Sequence, residues 1–401
     1  MSTDIFSRSV LAGYEPDVLR DAKVPIIGLG ALGQNLAQTL ALSGIGNLSL
    51  IDFDVFEPHN ATRSPSYPST AVEAALGLSK APVVAYYTQQ AATMPGANVR
   101  YGNATIQQLG NGLIAGADVV VSAVDSIGAR AWIAEQCRIH GKPMVEAGFS
   151  GPEFTLATFS GSSGEPCYRC ANPERASSAS CTLYALKAER SGIIPAIQTT
   201  AAAVGGLQAE VVIELLHGHA VEFGVRLYGN TRTHQFNRAT LQTNPACPGE
   251  HGALPGLVSL LEVPETVTGL AAQLEGIGAT QFALAEPLVT NPACRTCHAT
   301  CDLTTLESTW LMQPECVNCG GTAHPADRTR ATVYSRVLPT QSLGEIGDIE
   351  LSVIGLTAGC SVTVLTEAGD AGLVYLGDVK EAFARLTPAA VDVVGVTGAD
   401  Q

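Results

Sequence analysis

Between Gly28 and Lys80 the chain sets out the parts of a polyphosphate site. Gly28-x-Gly30-x-x-Gly33 lets the backbone turn tightly, so that unpaired amides at a helix N-terminus can face an anion. Asp52 follows 19 residues after the last glycine (52 − 33), at the end of the apolar run "NLSLI", where a carboxylate can bond ribose hydroxyls. That much suits a dinucleotide and ATP alike. Asp54, Asn60, Arg63 and Lys80 come next and tip the balance. Cleavage between the α- and β-phosphates of ATP builds charge on a departing pyrophosphate, which fixed amides and cations stabilise; hydride transfer needs no such set. Asp125 closes "ADVVVSAVD" and could supply one of the few carboxylates that a magnesium ion takes. Taken singly, each has a plainer reading: a turn without ligand, two solvated cations, and a helix cap at Asp125 ahead of "SIGARAWIAEQ".

Cysteine supplies the second chemistry. Eight of the 11 cysteines cluster: Cys167/Cys170, Cys247 beside His251, Cys294/Cys297/Cys301 and Cys316/Cys319. C-x-x-C pairs in a chain without a secretion signal indicate metal ligands rather than disulfides. Cys167, Cys170, Cys247 and His251 make one tetrahedral zinc set, and Cys294, Cys297, Cys316 and Cys319 a zinc-ribbon-like second, with Cys301 or His298 as substitutes. Neither set shows an open catalytic position, so both are expected to be structural. Reduced free thiols are the alternative. Cys137, Cys181 and Cys360 stand apart; Cys181 lies in the polar, small-residue segment "ANPERASSASCTLY", where a thiolate nucleophile can form, or an inert buried thiol sits instead.

These residues need a scaffold that brings strand ends together. "KVPIIGLG", "ALGQNLAQTLALSG" and "NLSLID" read as strand, helix and strand, and the alternation continues. A helix is predicted around 71–90, strands at "ANVRYGN" and "ADVVVSAV", a helix over "IGARAWIAEQCRIHG", and strands at "PMVEAGF" and "EFTLATFS". The pattern is α/β: a Rossmann-like, mostly parallel sheet with helices on both faces. A long helix is predicted from about Ile197 to His217, then two antiparallel strands, "GVRLYG" and "THQFNRATLQ". The domain expectation is 1–255 for the nucleotide domain with a crossover loop at about 171–195, 256–330 for the zinc-ribbon-like segment, and 331–401 for a small α+β unit. "IELSVIGL", "SVTVLTE" and "GLVYLGD" are read as strands of that last unit.

The bulk composition excludes several classes. With 401 residues and 46% hydrophobic content the chain can bury a large core, and a formal net charge of −15 gives no basic surface for nucleic acid or anionic lipid. No basic region followed by an apolar run opens the chain, and no apolar run is expected to approach the ~20 residues that span a bilayer. A cytoplasmic location is expected.

"GLGALG", "IDFDVFEPHNATR", "GLSK", "VVSAVDS" and "CYRC" together resemble the ThiF/MoeB family, which includes the ubiquitin-activating enzymes. The resemblance covers about residues 1–251. It implies that Asp52 binds ribose, that Asn60, Arg63 and Lys80 surround a triphosphate, and that Asp125 serves magnesium and adenylation. Arg8, in "FSRSV", matches an arginine that reaches into a partner subunit's ATP site, which implies a homodimer. Ser64 departs from the glutamine many members carry there. The reaction implied is adenylation of the C-terminal glycine of a small ubiquitin-like, β-grasp protein. Its carboxylate, with a reference pKa near ~3.5, needs no base to attack phosphorus. Cys181 matches the crossover loop where relatives carry a catalytic cysteine, and "SCTLYALKAERSGIIPAIQTTAA" resembles bacterial members tied to ubiquitin-like, antiphage conjugation; a thioester there would pass to a conjugating enzyme. A sulfur-carrier activator of the thiamine or molybdopterin type is the nearest rival. A dehydrogenase and a nucleotide-bound scaffold without catalysis are more distant.

Overall fold

The computed structural model describes residues 5–66, 77–172, 195–247, 251, 256–292, 294, 296–300, 304–307, 309, 319–320, 332–333, 336–342, 346, 348–367 and 371–389. The chain divides into two compact units, each discontinuous in sequence: 1–104 with 117–254 and 386–401, and 105–116 with 255–385.

The first unit opens with two short helices, α1 (Ser7–Leu11) and α2 (Pro16–Asp21), then β1 (Lys23–Ile27), α3 (Ala31–Ser43) and β2 (Asn47–Ile51). Apolar spacing makes α3: Leu32, Leu36, Ala37 and Leu40 are buried, each leucine stabilising by roughly 1.5–3 kcal/mol. The helix stops at Gly44, whose φ of 100° suits glycine and whose bare Cα leaves room for Phe6. After α4 (Lys80–Ala91) and β3 (Asn98–Gly102) the chain builds α5 (Ile106–Leu109) and α6 (Gly112–Ala115), both in the second unit. It returns with β4 (Val120–Ser122), α7 (Ile127–Ile139), β5 (Met144–Ser150) and β6 (Glu153–Phe159). A short helix, α8 (Tyr168–Ala171), precedes the long α9 (Gln198–Leu216), then β7 (Val225–Asn230) and β8 (Gln235–Thr240).

The strands form one sheet in the order β3-β2-β1-β4-β5-β6-β7-β8, parallel from β3 to β5 and antiparallel beyond. From β1 the chain winds first toward β3 and then jumps to β4 on the other side. Right-handed crossovers therefore place α3 and α4 on one face and α7 on the opposite one. The α/β reading, with helices on both faces and antiparallel closing strands, holds.

α9 corrects one expectation. By length and composition it is apolar enough to cross a bilayer. In this fold it is a core helix: Ala201, Val204, Ala209 and Val212 are essentially inaccessible, and Gln208 donates to the Ser122 and Val145 carbonyls at 3.4 and 3.2 Å. The helix expected over 71–90 begins, within the described residues, at Lys80.

In the second unit, β9 (Gly256–Leu261), α10 (Val267–Gly276) and β10 (Ala279–Ala283) are followed by a small sheet of β11 (Leu288–Thr290), β12 (Thr304–Leu306) and β13 (Thr332–Val333). β14 (Val337–Pro339), β15 (Ser361–Thr366) and β16 (Ala371–Leu376) complete a five-stranded sheet ordered β14-β10-β15-β16-β9. Val267, Leu270, Phe282, Val364 and Val374 form its core, drawn from both sides of residue 330. "IELSVIGL" is not a strand as expected. Leu351–Ile354 is a 3-10 turn that buries Leu351 and Ile354 three residues apart, and Gly355 at φ 70° ends it. Residues 105–116 pack in this unit: the Asn111 amide donates to the Ser361 carbonyl at 3.1 Å and accepts from the Ser361 amide at 2.8 Å. After α11 (Lys380–Ala384), β17 (Thr387–Pro388) pairs antiparallel with β3 and extends the first unit's sheet to nine strands.

Candidate active site

Asp52, Gly28 and Asp125 come from the carboxyl ends of three adjacent strands, β2, β1 and β4. The register aligns Ile27 with Ile51 on one side and with Ser122 on the other, at an interstrand spacing of ~4.8 Å. The chain reverses its winding between β1 and β4, and open α/β sheets bind ligands at such a switch point.

The glycines divide by role. A Cβ on Gly28, at φ 93°, would stand 2.7 Å from the Ala123 backbone, and one on Gly33 would stand 1.9 Å from the Gly28 carbonyl oxygen. Both are demanded by the protein's own packing. Gly30 differs: it begins α3 at an ordinary φ of −69°, and a Cβ there would meet nothing within 4 Å. Neither strain nor crowding demands a glycine at that place, and its bare backbone leaves the helix N-terminus open to a ligand.

Asp52 is 9% exposed. Its Oδ2 accepts the Leu29 amide at 2.6 Å and its Oδ1 the Asp54 amide at 2.7 Å, which locks the carboxylate between the glycine turn and the following loop. Burial raises its pKa above the ordinary range, against the pull of those two amides and of Lys80. Lys80 arrives through local pairing: its amide donates to the Asp54 carbonyl at 2.8 Å and the Phe56 amide to the Leu78 carbonyl at 2.8 Å. Its ammonium then reaches Asp54 Oδ2 at 2.9 Å. Asn60 is buried, and its Oδ1 accepts the Glu57 amide at 2.9 Å as part of a capping box around the 58–60 turn. Arg63 follows one turn on, half-buried, its guanidinium pKa lowered by burial and raised by Glu57. Among the described residues it makes no ion pair.

Asp125 is exposed and is not the cap of α7. Ser126 is the N-cap, its Oγ accepting the Ala129 amide at 3.3 Å. That overturns the plainer reading of the acid and leaves its carboxylate outside the helix's own hydrogen bonding.

Sequence reasoning missed Gln34. On α3, fully buried, it donates to the Leu29 carbonyl at 2.8 Å and the Ser64 hydroxyl at 3.3 Å, and accepts the Ser66 amide at 3.2 Å. It binds the glycine turn to the segment after Arg63. A polar residue on the apolar face of a helix was the signal available. Arg8, on α1, is exposed beside Ile5 and Leu11, which are 66% and 89% exposed.

Cys167, Cys170, Cys247 and His251 converge, their ligand atoms all within 4.8 Å of one another. Cys167 Sγ lies 3.8 Å from Cys170 Sγ and 3.7 Å from Cys247 Sγ, close to the ~3.8 Å edge of a tetrahedron with Zn–S bonds of ~2.3 Å. His251 Nδ1 faces the Glu165 carbonyl at 3.1 Å, which fixes the tautomer that turns Nε2 to the sulfurs, 3.2 Å from Cys170. The donor set and its spacing fit zinc. In the second unit Cys294, Cys297 and Cys319 also converge, with Cys294 and Cys319 sulfurs 3.8 Å apart and the Thr296 amide on Cys294 Sγ at 3.3 Å. Cys181, Cys301 and Cys316 lie outside the described residues. His298 is described but is not one of the converging group. Cys137 and Cys360 are buried, and burial pushes the Cys137 thiol far up, so it is no nucleophile.

The ThiF family profile matches residues 8–249. The chain belongs to the ThiF family. Over 243 residues it is 29% identical to the molybdopterin-synthase adenylyltransferase of Escherichia coli (strain K12), covering 59% of this chain and 92% of that one. The SAMP-activating enzyme E1 of Haloferax volcanii is 30% identical over 247 residues, covering 58% and 83%. The adenylyltransferase and sulfurtransferase MOCS3 of Xenopus laevis is 32% identical over 208 residues, covering 51% and 43%. Among solved structures, E. coli MccB with ATP superposes at a TM-score of 0.51 and 21% identity, covering 62% of this chain and 75% of that one, a likeness of fold. The ThiF match ends at residue 249, so residues 250–401 carry features outside the family domain.

Proposed function

We propose that this chain is an ATP-dependent adenylyltransferase that activates the C-terminal glycine of a small β-grasp protein. The observation that carries the reading is Gly30: a glycine that the fold does not require, at the switch point of a ThiF domain, in a turn whose Leu29 amide donates to Asp52 and whose Gly28 packs on the Ala123–Val124 backbone. ATP lies along the glycine turn, with Asp52 on the ribose and Asn60, Arg63 and Lys80 around the phosphates. Asp125 would hold Mg2+, which would supply positive charge against the leaving pyrophosphate. The carrier's carboxylate oxygen attacks the α-phosphorus; the bond to the β-phosphate oxygen breaks, and an acyl adenylate and pyrophosphate result. Lys80 has to exchange part of its Asp54 partnership for phosphate on binding.

Cys181 then attacks the acyl carbon as thiolate, expelling AMP and forming a thioester for a conjugating enzyme. The names of the E. coli and Xenopus relatives favour a second reading, activation of a sulfur carrier with thiocarboxylate output. Zn2+ in the Cys167/Cys170/Cys247/His251 set, and a second Zn2+ on Cys294, Cys297, Cys319 and Cys316, stabilise the fold without touching substrate. Arg8 and the apolar side chains around it suit a homodimer contact in which Arg8 serves the partner's ATP site. The location we assign is cytoplasmic.

Incubation with Mg·ATP and a β-grasp protein ending in glycine should give AMP and a reductant-sensitive adduct that disappears in Cys181→Ala. An adduct that persists in Cys181→Ala moves the nucleophile elsewhere. A thiocarboxylate formed with a sulfur donor and no adduct selects the second reading.

A further inference from the structure

A buried charge cluster beneath the Asp125 loop enters none of these steps. Arg130, on α7, donates from Nε to the Val124 carbonyl at 2.7 Å and from Nη1 to Glu146 Oε1, and its charge faces the Tyr168 hydroxyl. Glu146, on β5, is 1% exposed. Gly148, two residues on, makes room for the guanidinium: a Cβ there would come within 2.8 Å of Nη2. Arg226, on β7, is 7% exposed and adds a second positive charge facing Glu146. Its Nη1 donates to the Ala171 carbonyl and to Asn172 Oδ1, each at 3.2 Å. Tyr168 sits between Cys167 and Cys170, so one hydroxyl joins the thiol clip to this cluster.

Stability alone is a poor account of such a group, because buried ion pairs seldom outperform apolar residues of the same volume. Position is a better one. Val124 immediately precedes Asp125, and the planar peptide between them means that fixing the Val124 carbonyl fixes where the Asp125 backbone starts. The Arg130 amide holds the next turn, donating to the Ser126 carbonyl at 3.1 Å. We infer that Arg130 is the positioning residue for Asp125: it holds the loop at the height where the carboxylate meets the metal of Mg·ATP, with Glu146 orienting the guanidinium and Tyr168 bracing it from the thiol clip. This rests on the adenylation reading and deepens it.

Calorimetric binding of ATP with and without Mg2+ tests it, on the full chain. Arg130→Met, which keeps the stem but not the donors, should raise the Kd for Mg·ATP by ~10-fold or more and that for metal-free ATP by less than ~2-fold. Tyr168→Phe keeps the ring against Phe159 and should show the same split, smaller, with zinc content unchanged. Should Arg130→Met fail to fold, Tyr168→Phe and Glu146→Gln carry the test. Equal Kd values for folded variants and parent overturn the inference, as does equal weakening with and without Mg2+. A parent chain that binds no Mg·ATP defeats the adenylation reading itself, a different result.

Discussion

Gly30 and Gly33 stand three residues apart and answer to different masters. Gly33→Ala would drive a Cβ into the Gly28 carbonyl, so it should destabilise the chain by about 3 kcal/mol or more and lower its expression as folded protein. Gly30→Ala meets open space at a relaxed φ and should leave the melting temperature within about 2 °C of the parent. Its Kd for ATP should nevertheless rise at least ~10-fold. Thermal melts and nucleotide titration of both variants check this; a Gly30→Ala chain with parental affinity removes the strongest structural argument for the nucleotide. At this scale the sequence was informative wherever a residue's type is unusual for its place. The strand-end position of Asp52 and the convergence of the cysteine pairs could be read because glycine turns, strand-end acids and C-x-x-C have narrow structural uses. Gln34, Glu146 and Arg226 could not, because a buried polar group is recognised only once its partners, tens of residues away, are known.

Among the elements, the strands and helices of the nucleotide half follow from apolar period, since each has one face committed to one core. α9 shows where that logic thins: apolar nearly all round, it satisfies a membrane criterion as well as a core one, and only its packing decides. "IELSVIGL" shows the converse. Alternation suggested a strand, but a glycine at positive φ and two buried residues three apart make a 3-10 turn. The thiol clip also belongs to this scale, since it ties α8 to the segment after β8. Elemental analysis should find two zinc ions per chain. Cys247→Ser should remove one of them and lower the melting temperature by several degrees, losing a metal tether between segments 80 residues apart (247 − 167). Retention of both ions in that variant would contradict the assignment of the first set.

For the molecule as a whole, the two units trade segments, with 105–116 serving the second and 386–389 completing the first sheet. No local signal announces such an exchange: Asn111 and Ser361 are 250 residues apart, and two-residue β17 has no strand pattern to read. The proposed adenylation belongs to the whole chain, and ATP–pyrophosphate exchange reports that step without needing the fate of the product. With Mg2+ and a β-grasp protein ending in glycine, the intact chain should exchange label between pyrophosphate and ATP. Asp125→Ala should reduce that rate by roughly 10²–10³-fold, while Cys181→Ala leaves it intact. A folded, zinc-replete chain that exchanges nothing with any such carrier, or whose exchange survives Asp125→Ala undiminished, would contradict the account.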